Sequence, residues 1–247
     1  DIGAECPAFD INDGCCGFLV GMDIMESYFA AGKVKKAMIV SAEAMSRCMD
    51  WNDRSTCVLF GDGAGAVLEA GDALKSIRVT TDGNADFLRI ANSFGNCPID
   101  EHYLQDENPE ADVRSFVSQQ VDYNNDGTPY EYLKMQGQEV YKFAVSAMCR
   151  EIPIALDKAG MSKDDIDWFL LHQANIRIIN AARSRLKIPR DKVRTNLEHC
   201  GNTSSASIPM LLDQVNREGS LKKGDTILLS AFGAGLTTAT CVLEWTK

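Results

Sequence analysis

The stretch Asp10-Ile-Asn-Asp-Gly-Cys15-Cys-Gly-Phe18 joins two local patterns that set the character of the fold. Residues 8–11 predict a short strand. Residues 16–31 predict a helix, because apolar side chains recur there at helical spacing. These side chains are Phe18, Leu19, Met22, Met25 and Phe29. Cys15 is therefore expected at a strand-to-helix junction.

A thiol at that junction is a candidate nucleophile. Free N–H groups and the positive end of the helix dipole would meet Cys15 there and favour the thiolate. Gly14 and Gly17 would allow a tight turn and the close approach of a substrate. The position equally suits a buried structural cysteine, a role that Cys16, directed to a different face, would share.

Strands and helices alternate along the rest of the chain. Strands are predicted at 36–42, 64–70, 76–81, 168–171, 226–231 and 237–245. Helices are predicted at 131–159, 174–186 and 204–217. This alternation argues for a layered α/β fold around a mostly parallel sheet. The continuous apolar run at 36–42 is of the kind that is buried on both faces.

His172 and Asn202 are candidate functional residues because each lies next to the end of a predicted element. His172 comes directly after the strand at 168–171, at the sheet edge where ligands of α/β proteins bind. It suits a hydrogen-bond donor or a general base, and equally a helix cap or a core histidine. Asn202 precedes a run of small polar residues. Its amide suits an oxyanion donor, and the residue also makes a good N-cap.

Composition excludes some classes of function. The net charge of −10 disfavours a general nucleic-acid binder, because such proteins rely on basic residues. No run of eighteen apolar residues is present and no signal peptide follows residue 1, so we expect neither a membrane span nor secretion. The nine cysteines include no CxxC pair and lie mostly in apolar runs. They indicate a reducing cytoplasm, core packing for most of the thiols, and no metal site.

The charge is also unevenly distributed. Residues 97–130 hold eight acids and one base, whereas residues 176–194 hold seven bases and one acid.

The glycine-rich stretch Phe60-Gly-Asp-Gly-Ala-Gly65 looks like half of a dinucleotide fingerprint. A strand is predicted after it where that fingerprint requires a helix, so we do not interpret it as a phosphate site.

An ordered set of motifs resembles the β-ketoacyl-acyl-carrier-protein synthase III family of the thiolase superfamily. The set combines the nucleophile stretch, two glycine-rich loops and four polar motifs, in family order over nearly the whole chain. It consists of Cys6-Pro-Ala-Phe-Asp10 with Cys15-Cys-Gly-Phe18, Asp53-Arg-Ser-Thr56, Phe60-Gly-Asp-Gly-Ala-Gly65, Met135-Gln-Gly-Gln-Glu139, His172-Gln-Ala-Asn-Ile-Arg177, Gly201-Asn-Thr-Ser-Ser-Ala-Ser207 and Ala231-Phe-Gly-Ala-Gly235.

The resemblance implies an αβαβα thiolase-like fold of two similar halves. Only fourteen residues precede Cys15, so the chain is expected to correspond to the C-terminal two-thirds of the family and to lack its start. Residues 1–82 would then be the remainder of the N-terminal half, and residues 131–247 the C-terminal half. Residues 83–130 would form an acidic connecting insertion.

The resemblance also implies a decarboxylative Claisen condensation. Cys15 would take the acyl group of an acyl-CoA primer, with the N–H groups of Cys15 and Ala234 holding the oxyanion. His172 and Asn202 would donate hydrogen bonds to the thioester oxygen of malonyl-acyl-carrier protein during loss of CO2. Arg54 would contact CoA. No further cofactor is expected, since acyl-CoA and phosphopantetheine-carried malonate are substrates.

The basic segment at 176–194 opposes the global charge and begins close to His172. We therefore expect Arg177, Arg183 and Arg185 to dock the acidic acyl-carrier protein. The resemblance implies a homodimer as well.

Other classes stay open on the sequence. A thiolase proper would carry a second catalytic cysteine in the loop at 232–236, whereas Cys241 lies farther along. A type III polyketide synthase also uses Cys, His and Asn. The chain is also compatible with a non-catalytic fragment, or with a subunit that needs a separate N-terminal chain.

Overall fold

A computed structural model describes residues 6–84, 86–90 and 132–247. The predicted acidic insertion lies mostly outside these residues, and the division into 1–82, 83–130 and 131–247 stays a prediction. The helices are α1 Gly17–Ala30, α2 Gly137–Lys158, α3 Ile176–Leu186, α4 Leu197–Cys200 and α5 Ser207–Arg217. The strands are β1 Lys36–Glu43, β2 Gly63–Ala70, β3 Leu74–Thr81, β4 Leu88–Arg89, β5 Lys134–Met135, β6 Trp168–Leu171, β7 Thr226–Gly233 and β8 Thr237–Glu244.

The central sheet has four strands in the order β3-β8-β7-β6. Only β6 and β7 run parallel, whereas β8 is antiparallel to both β7 and β3. The expectation of a mostly parallel sheet is therefore wrong for the described strands. The reason is local: β7 and β8 are joined by one tight turn at Ala234–Leu236, and so short a connection permits only antiparallel pairing.

Helices cover both faces of this sheet because its strands are apolar on both sides. Leu170 and Leu229 pack in the cluster that includes apolar residues of α1 and α5. Leu171 and Leu228 point the other way, into the cluster that includes residues of α2 and α3. The successive residues of one strand thus serve opposite layers, as strand geometry requires. The layers bring the carboxyl ends of β6 and β7 to one edge, beside the start of α1.

A second, two-stranded sheet pairs β1 with β2 in antiparallel register. Its inner face includes Ile39, which is buried, whereas Met38, Val40 and Leu68 on the other face are each more than half exposed. The expectation that this run is buried on both faces is wrong for the described part of the chain, since nothing there covers the outer face.

The start of the chain differs from the prediction in one respect. Residues 8–11 form no strand, and a 3-10 turn at Gly14–Cys16 leads directly into α1. Gly14 has a φ of +50°, a left-handed conformation that costs glycine little. Cys16 is fully buried in the core, as its structural interpretation required.

The cysteines are less buried as a group than predicted. All eight in the described residues are free thiols, and only Cys16 and Cys241 are buried. Cys6 is exposed, and the others are partly exposed. Cys48, Cys57 and Cys149 nevertheless pack against the core cluster that includes residues of α2 and α3. None of the helices that the structure describes is long and apolar enough to cross a membrane.

Candidate active site

Cys15, His172 and Asn202 line one cavity of about 780 Å³ at the carboxyl edge of the central sheet. Cys15 lies in the turn before α1, His172 directly follows β6, and Asn202 lies between α4 and α5. The structure therefore brings together three residues that are far apart in the sequence, as predicted.

Cys15 is held against the turn between β7 and β8. A Cβ atom added to Gly233 would lie 3.0 Å from both the Cβ and the backbone N of Cys15, closer than side chains pack. Glycine at 233 is therefore required for this approach. On another side, the Ser204 hydroxyl donates a hydrogen bond of 3.6 Å to the Cys15 sulfur.

The expected lowering of the Cys15 pKa is wrong in this structure. Burial raises the pKa of the Cys15 thiol to about 11; the Ser204 hydrogen bond lowers it, and the negative charge of Glu43 raises it further. The helix dipole argument fails because a thiolate in this pocket loses its hydration, and burial disfavours the charged form. In the unliganded protein Cys15 is therefore a neutral thiol at neutral pH.

Asn202 is oriented by its neighbours. Its backbone N–H donates to the Leu59 carbonyl at 2.8 Å, and its carbonyl accepts from the Gly61 N–H at 3.0 Å. The Ser204 N–H donates to the side-chain oxygen Oδ1 at 2.9 Å. A backbone N–H can only donate, so this contact fixes the amide orientation and leaves the Nδ2 hydrogens available to the cavity. The N-cap interpretation of Asn202 is wrong, because Thr203 occupies the N-cap position of the 3-10 turn at Ser204–Ala206, and the Asn202 side chain instead closes a local turn onto the Ser204 N–H.

Ser204 has a φ of +51°, in the left-handed region that residues with a side chain seldom adopt. The same residue holds Asn202 by its N–H and contacts Cys15 by its hydroxyl. Strained backbone of this kind clusters at functional sites.

His172 is almost completely buried, at 1% exposure. Its backbone N–H donates to the Ser230 carbonyl at 2.8 Å, which extends the parallel pairing of β6 and β7. The ring packs edge-on against Phe232, with centroids 5.3 Å apart. Its Nδ1 lies 2.6 Å from the Ser207 hydroxyl oxygen, and its Nε2 has no hydrogen-bond partner among the described residues. Burial lowers the pKa of His172 to about 3, so the ring is neutral.

A second chamber of about 400 Å³ also reaches Cys15. Its lining includes apolar Met45 and Leu133 together with Glu43, whose carboxylate accepts hydrogen bonds from the Ser205 N–H and hydroxyl. Cys15 thus lies where two chambers meet, which suits a nucleophile that exchanges groups between two substrates.

The predicted oxyanion donor Ala234 lies beside Cys15. It lines the second chamber, and its N atom is 3.8 Å from the position of a Cβ added to Gly14. The two predicted donors are neighbours in space, and their role stays a prediction.

The four predicted binding arginines are not equivalent. Arg54 is exposed beside Ser55, which lines the larger cavity. Arg177 lines the same cavity at the start of α3. Arg183 folds back so that its guanidinium donates to the Ile188 carbonyl at 3.2 Å. On a helix it is rotated by about 120° from Arg177, whereas exposed Arg185 is rotated by about 80°. The basic segment therefore does not present one face.

The glycine-rich stretch at 60–65 proves to be a packing device. A Cβ on Gly61 would overlap the carbonyl oxygen of Cys200, and one on Gly63 would overlap the sulfur of Met210. Gly61 allows the segment before β2 to lie directly against the Asn202 loop, and Gly63, the first residue of β2, allows that strand to lie against α5. This agrees with the rejection of a phosphate site there.

Sequence reasoning missed three residues that hold the site. Ser204 and Ser207 belong to the Gly201–Ser207 motif. They are three residues apart, a spacing that places two side chains on one side of a helical turn, and this spacing could have indicated that both face the site. Glu43 ends a strand with no pattern that connects it to Ser205 or Cys15. No group of three potential metal ligands occurs within the described ranges.

Profiles of one family match both parts of the chain. The profile described as 3-oxoacyl-[acyl-carrier-protein] synthase III matches residues 9–83, and its C-terminal counterpart matches residues 156–245. A β-ketoacyl-[acyl-carrier-protein] synthase III of Porphyra umbilicalis is 41% identical over 249 residues, which cover 99% of this chain and 71% of the relative.

Solved structures agree with these matches. The β-ketoacyl-[acyl carrier protein] synthase III of Thermus thermophilus superposes with a TM-score of 0.78 at 38% identity, covering 96% of this chain and 67% of that one. The priming β-ketosynthase of the R1128 polyketide pathway gives 0.78 at 31% identity, covering 97% and 66%. The layered thiolase-like fold is thereby confirmed. Cys241, which follows the loop at 232–236, is buried in β8 with its pKa raised by burial.

Proposed function

The chain belongs to the β-ketoacyl-acyl-carrier-protein synthase III family of condensing acyltransferases, and from that premise we propose that it joins an acyl-CoA primer to malonyl-acyl-carrier protein with loss of CO2. The observation that carries the proposal is the meeting of Cys15, His172 and Asn202 at one cavity. His172 Nε2 has no partner among the described residues, and the Asn202 amide is held by Oδ1, so Nε2 and the Nδ2 hydrogens remain available to a ligand in that cavity.

In the first half-reaction the Cys15 sulfur attacks the primer thioester. The new bond is the acyl–sulfur bond of Cys15, the broken bond is that to CoA, and the thiol proton leaves with the CoA sulfur. The N–H groups of Cys15 and Ala234 would hold the oxyanion of the tetrahedral intermediate.

In the second half-reaction malonyl-carrier occupies the larger chamber. Hydrogen bonds from His172 Nε2 and Asn202 Nδ2 to the thioester oxygen stabilise the enolate that remains when CO2 leaves. The enolate carbon attacks the acyl group on Cys15 and releases the β-ketoacyl thioester. Cys15 departs as a thiolate and takes up a proton, which its raised pKa favours.

The binding surfaces belong to the same proposal. Arg177 at the cavity and exposed Arg185 are placed to meet an acidic carrier, with Arg183 acting mainly within its own helix end. Arg54 beside the cavity would contact the phosphates of CoA. A homodimer and a reducing cytoplasmic setting complete the proposal, and the free thiols support the latter.

The two half-reactions provide the test. His172→Ala and Asn202→Ala should acylate Cys15 at nearly the normal rate, because neither residue acts on the nucleophile. Condensation should fall by about 10²–10³, the usual cost of losing an oxyanion donor. His199→Ala, at an exposed position, is the matched control. Equal loss of both half-reactions would show that the two residues act on Cys15 and would contradict the mechanism.

A polyketide-priming role is the second candidate, because one structural relative is a priming ketosynthase. Its chemistry is the same, so the carrier distinguishes the two. Kinetics with fatty-acid and polyketide carrier proteins side by side would identify the physiological partner. Failure of Cys15 to acylate with any acyl-CoA would instead favour the non-catalytic alternatives.

A further inference from the structure

Ser207 makes two buried contacts beside the proposed active site. It is the first residue of α5 and is 1% exposed. Its hydroxyl oxygen lies 2.6 Å from His172 Nδ1 and 3.4 Å from the backbone N of Gln173. The first distance is short for a hydrogen bond between a hydroxyl and a ring nitrogen, whereas the second is long.

The direction of the short bond follows from the donors available. The Gln173 N–H can only donate, so it uses a lone pair of the Ser207 oxygen. If His172 Nδ1 also carried a proton, both neighbours would donate to Ser207. The hydroxyl hydrogen would then have no acceptor among the described residues, and Ser207 does not line the cavity, so a ligand or water there could not supply one. With the proton on Nε2 the unpaired donor belongs instead to a ring that lines the cavity, where a ligand can accept from it. The hydroxyl therefore donates to Nδ1, and the ring proton resides on Nε2.

We infer that Ser207 is a positioning residue, which fixes His172 as the Nε2–H tautomer so that this N–H faces the thioester oxygen of the bound malonyl substrate. This inference rests on the proposed function for the identity of the acceptor. The tautomer itself rests only on the contacts of Ser207.

Two other observations agree with this assignment. His172 Nε2 has no partner among the described residues although its ring lines the cavity, so a substrate atom is free to meet it. Phe232 packs edge-on against the imidazole ring of His172. This contact limits rotation of the ring away from the Ser207 hydroxyl. Burial lowers the pKa of His172 and keeps the ring neutral, the form in which tautomers exist.

A purely structural serine would behave differently. Replacing it would lower stability and leave both the tautomer and the balance of half-reactions unchanged. The test therefore needs readouts that stability does not move.

The first experiment uses the unsubstituted chain with ¹⁵N-labelled histidine. The sequence has three histidines, so a spectrum of His172→Gln assigns the signals of that ring. We expect a protonated Nε2 and an unprotonated Nδ1 between pH 6 and 9, recognised by their distinct nitrogen shifts and by the proton coupling of Nε2. A proton on Nδ1 would overturn the inference. This outcome is independent of activity, so it stands apart from any failure of the proposed function.

The second experiment compares Ser207→Ala with Ser207→Thr. The alanine variant should acylate Cys15 normally and lose condensation about 10- to 100-fold, the scale found for partners that orient metal-bound histidines. The threonine variant keeps the hydroxyl and should recover most of that loss. Ser76→Ala is the matched control, since it removes another buried serine hydroxyl, bonded to the Ala155 carbonyl, away from the site.

An alanine variant with unchanged condensation would overturn the positioning role. Equal loss of acylation and condensation, at an unchanged tautomer, would assign Ser207 to structure alone. If Ser207→Ala fails to fold, Ser207→Cys, which keeps a side chain of similar size but a much weaker donor, takes its place in the same comparison, and unchanged condensation in that variant would overturn the positioning role.

Discussion

Brief alkylation of the unliganded protein at increasing pH should reveal a Cys15 with an unusually high pKa. Burial raises the pKa of this thiol from 9.0 to about 11. That shift corresponds to roughly 2.7 kcal/mol against the thiolate. At pH 8 about one Cys15 in a thousand is then ionised, and only the thiolate reacts.

The rate at Cys15 should therefore rise about tenfold for each pH unit from 8 to 10 and level off near 11. Iodoacetamide pulses followed by peptide mass mapping measure it residue by residue. The exposed Cys6 provides an internal reference for reagent consumption.

The charge of Glu43 supplies a second, separable contribution. Glu43→Gln removes the negative charge and keeps an oxygen that accepts from Ser205, so the Cys15 profile should move to lower pH. Glu198→Gln, an exposed substitution of the same kind, should leave it unchanged. A plateau below pH 8 in the unsubstituted chain would refute the reasoning, because the helix N-terminus would then outweigh burial.

Three further predictions concern docking, a buried carboxyl group and glycine packing. Arg177→Glu with Arg185→Glu should raise the apparent KM for malonyl-carrier about tenfold at low salt without changing that for primer CoA, and the difference should shrink as salt is added. Burial raises the pKa of Glu69 from 4.5 to about 7, so its stabilising protonated form is lost as pH rises through 7. Glu69→Gln should therefore raise the free energy of unfolding at pH 8 by about 1–2 kcal/mol after allowance for solvent screening, and by little at pH 5. Gly61→Ala, which overlaps the Cys200 carbonyl, should cost about 1–3 kcal/mol in urea unfolding and reduce condensation more than acylation.

Each of these has a matched comparison. Lys222→Glu with Lys223→Glu reverses exposed charges before β7, at the sheet edge away from the site, and should leave both KM values unchanged. Glu198→Gln should show no pH-dependent gain in stability. A Cβ on Gly83 would meet none of the described residues within 4 Å, so Gly83→Ala should be nearly neutral. Equal effects of a variant and its control would contradict the corresponding prediction.

The sequence correctly predicts those helices and strands whose formation depends on the local hydrophobic pattern. The strand at Trp168–Leu171 and the helix ending at Leu186 follow from short runs whose periodicity matches their burial. The position of His172 follows too, because a polar residue after a buried strand must lie at the sheet edge. The ordered motifs then identify the family, which no single residue does.

Properties that depend on distant packing are predicted less well. Strand direction in the central sheet depends on how β8 returns beside β7 and β3, and hydrophobic periodicity carries no information about it. The helix-dipole argument predicts a lowered pKa for Cys15, whereas burial raises it, because that argument considers only residues that are close to Cys15 in the sequence. Its burial comes from Gly233 and from the Ser204 loop, more than 180 positions away in the chain.

The protonation states of Cys15 and His172 together constrain how the site works. Because only the thiolate attacks, the neutral Cys15 thiol must first lose its proton. In the inferred tautomer, His172 carries its own proton on Nε2 and presents no lone pair to the cavity to accept it. In the proposed mechanism the departing CoA sulfur takes up a proton, so acylation begins and ends with one neutral thiol. The species that must be stabilised is then the negative charge that develops on the carbonyl oxygens, and fixed N–H donors stabilise it. Burial of the site, which raises the pKa of Cys15, strengthens those same donors because the low dielectric acts on both. The loss of thiolate is thus a consequence of the same environment that, in the proposed mechanism, stabilises the enolate at His172 and Asn202.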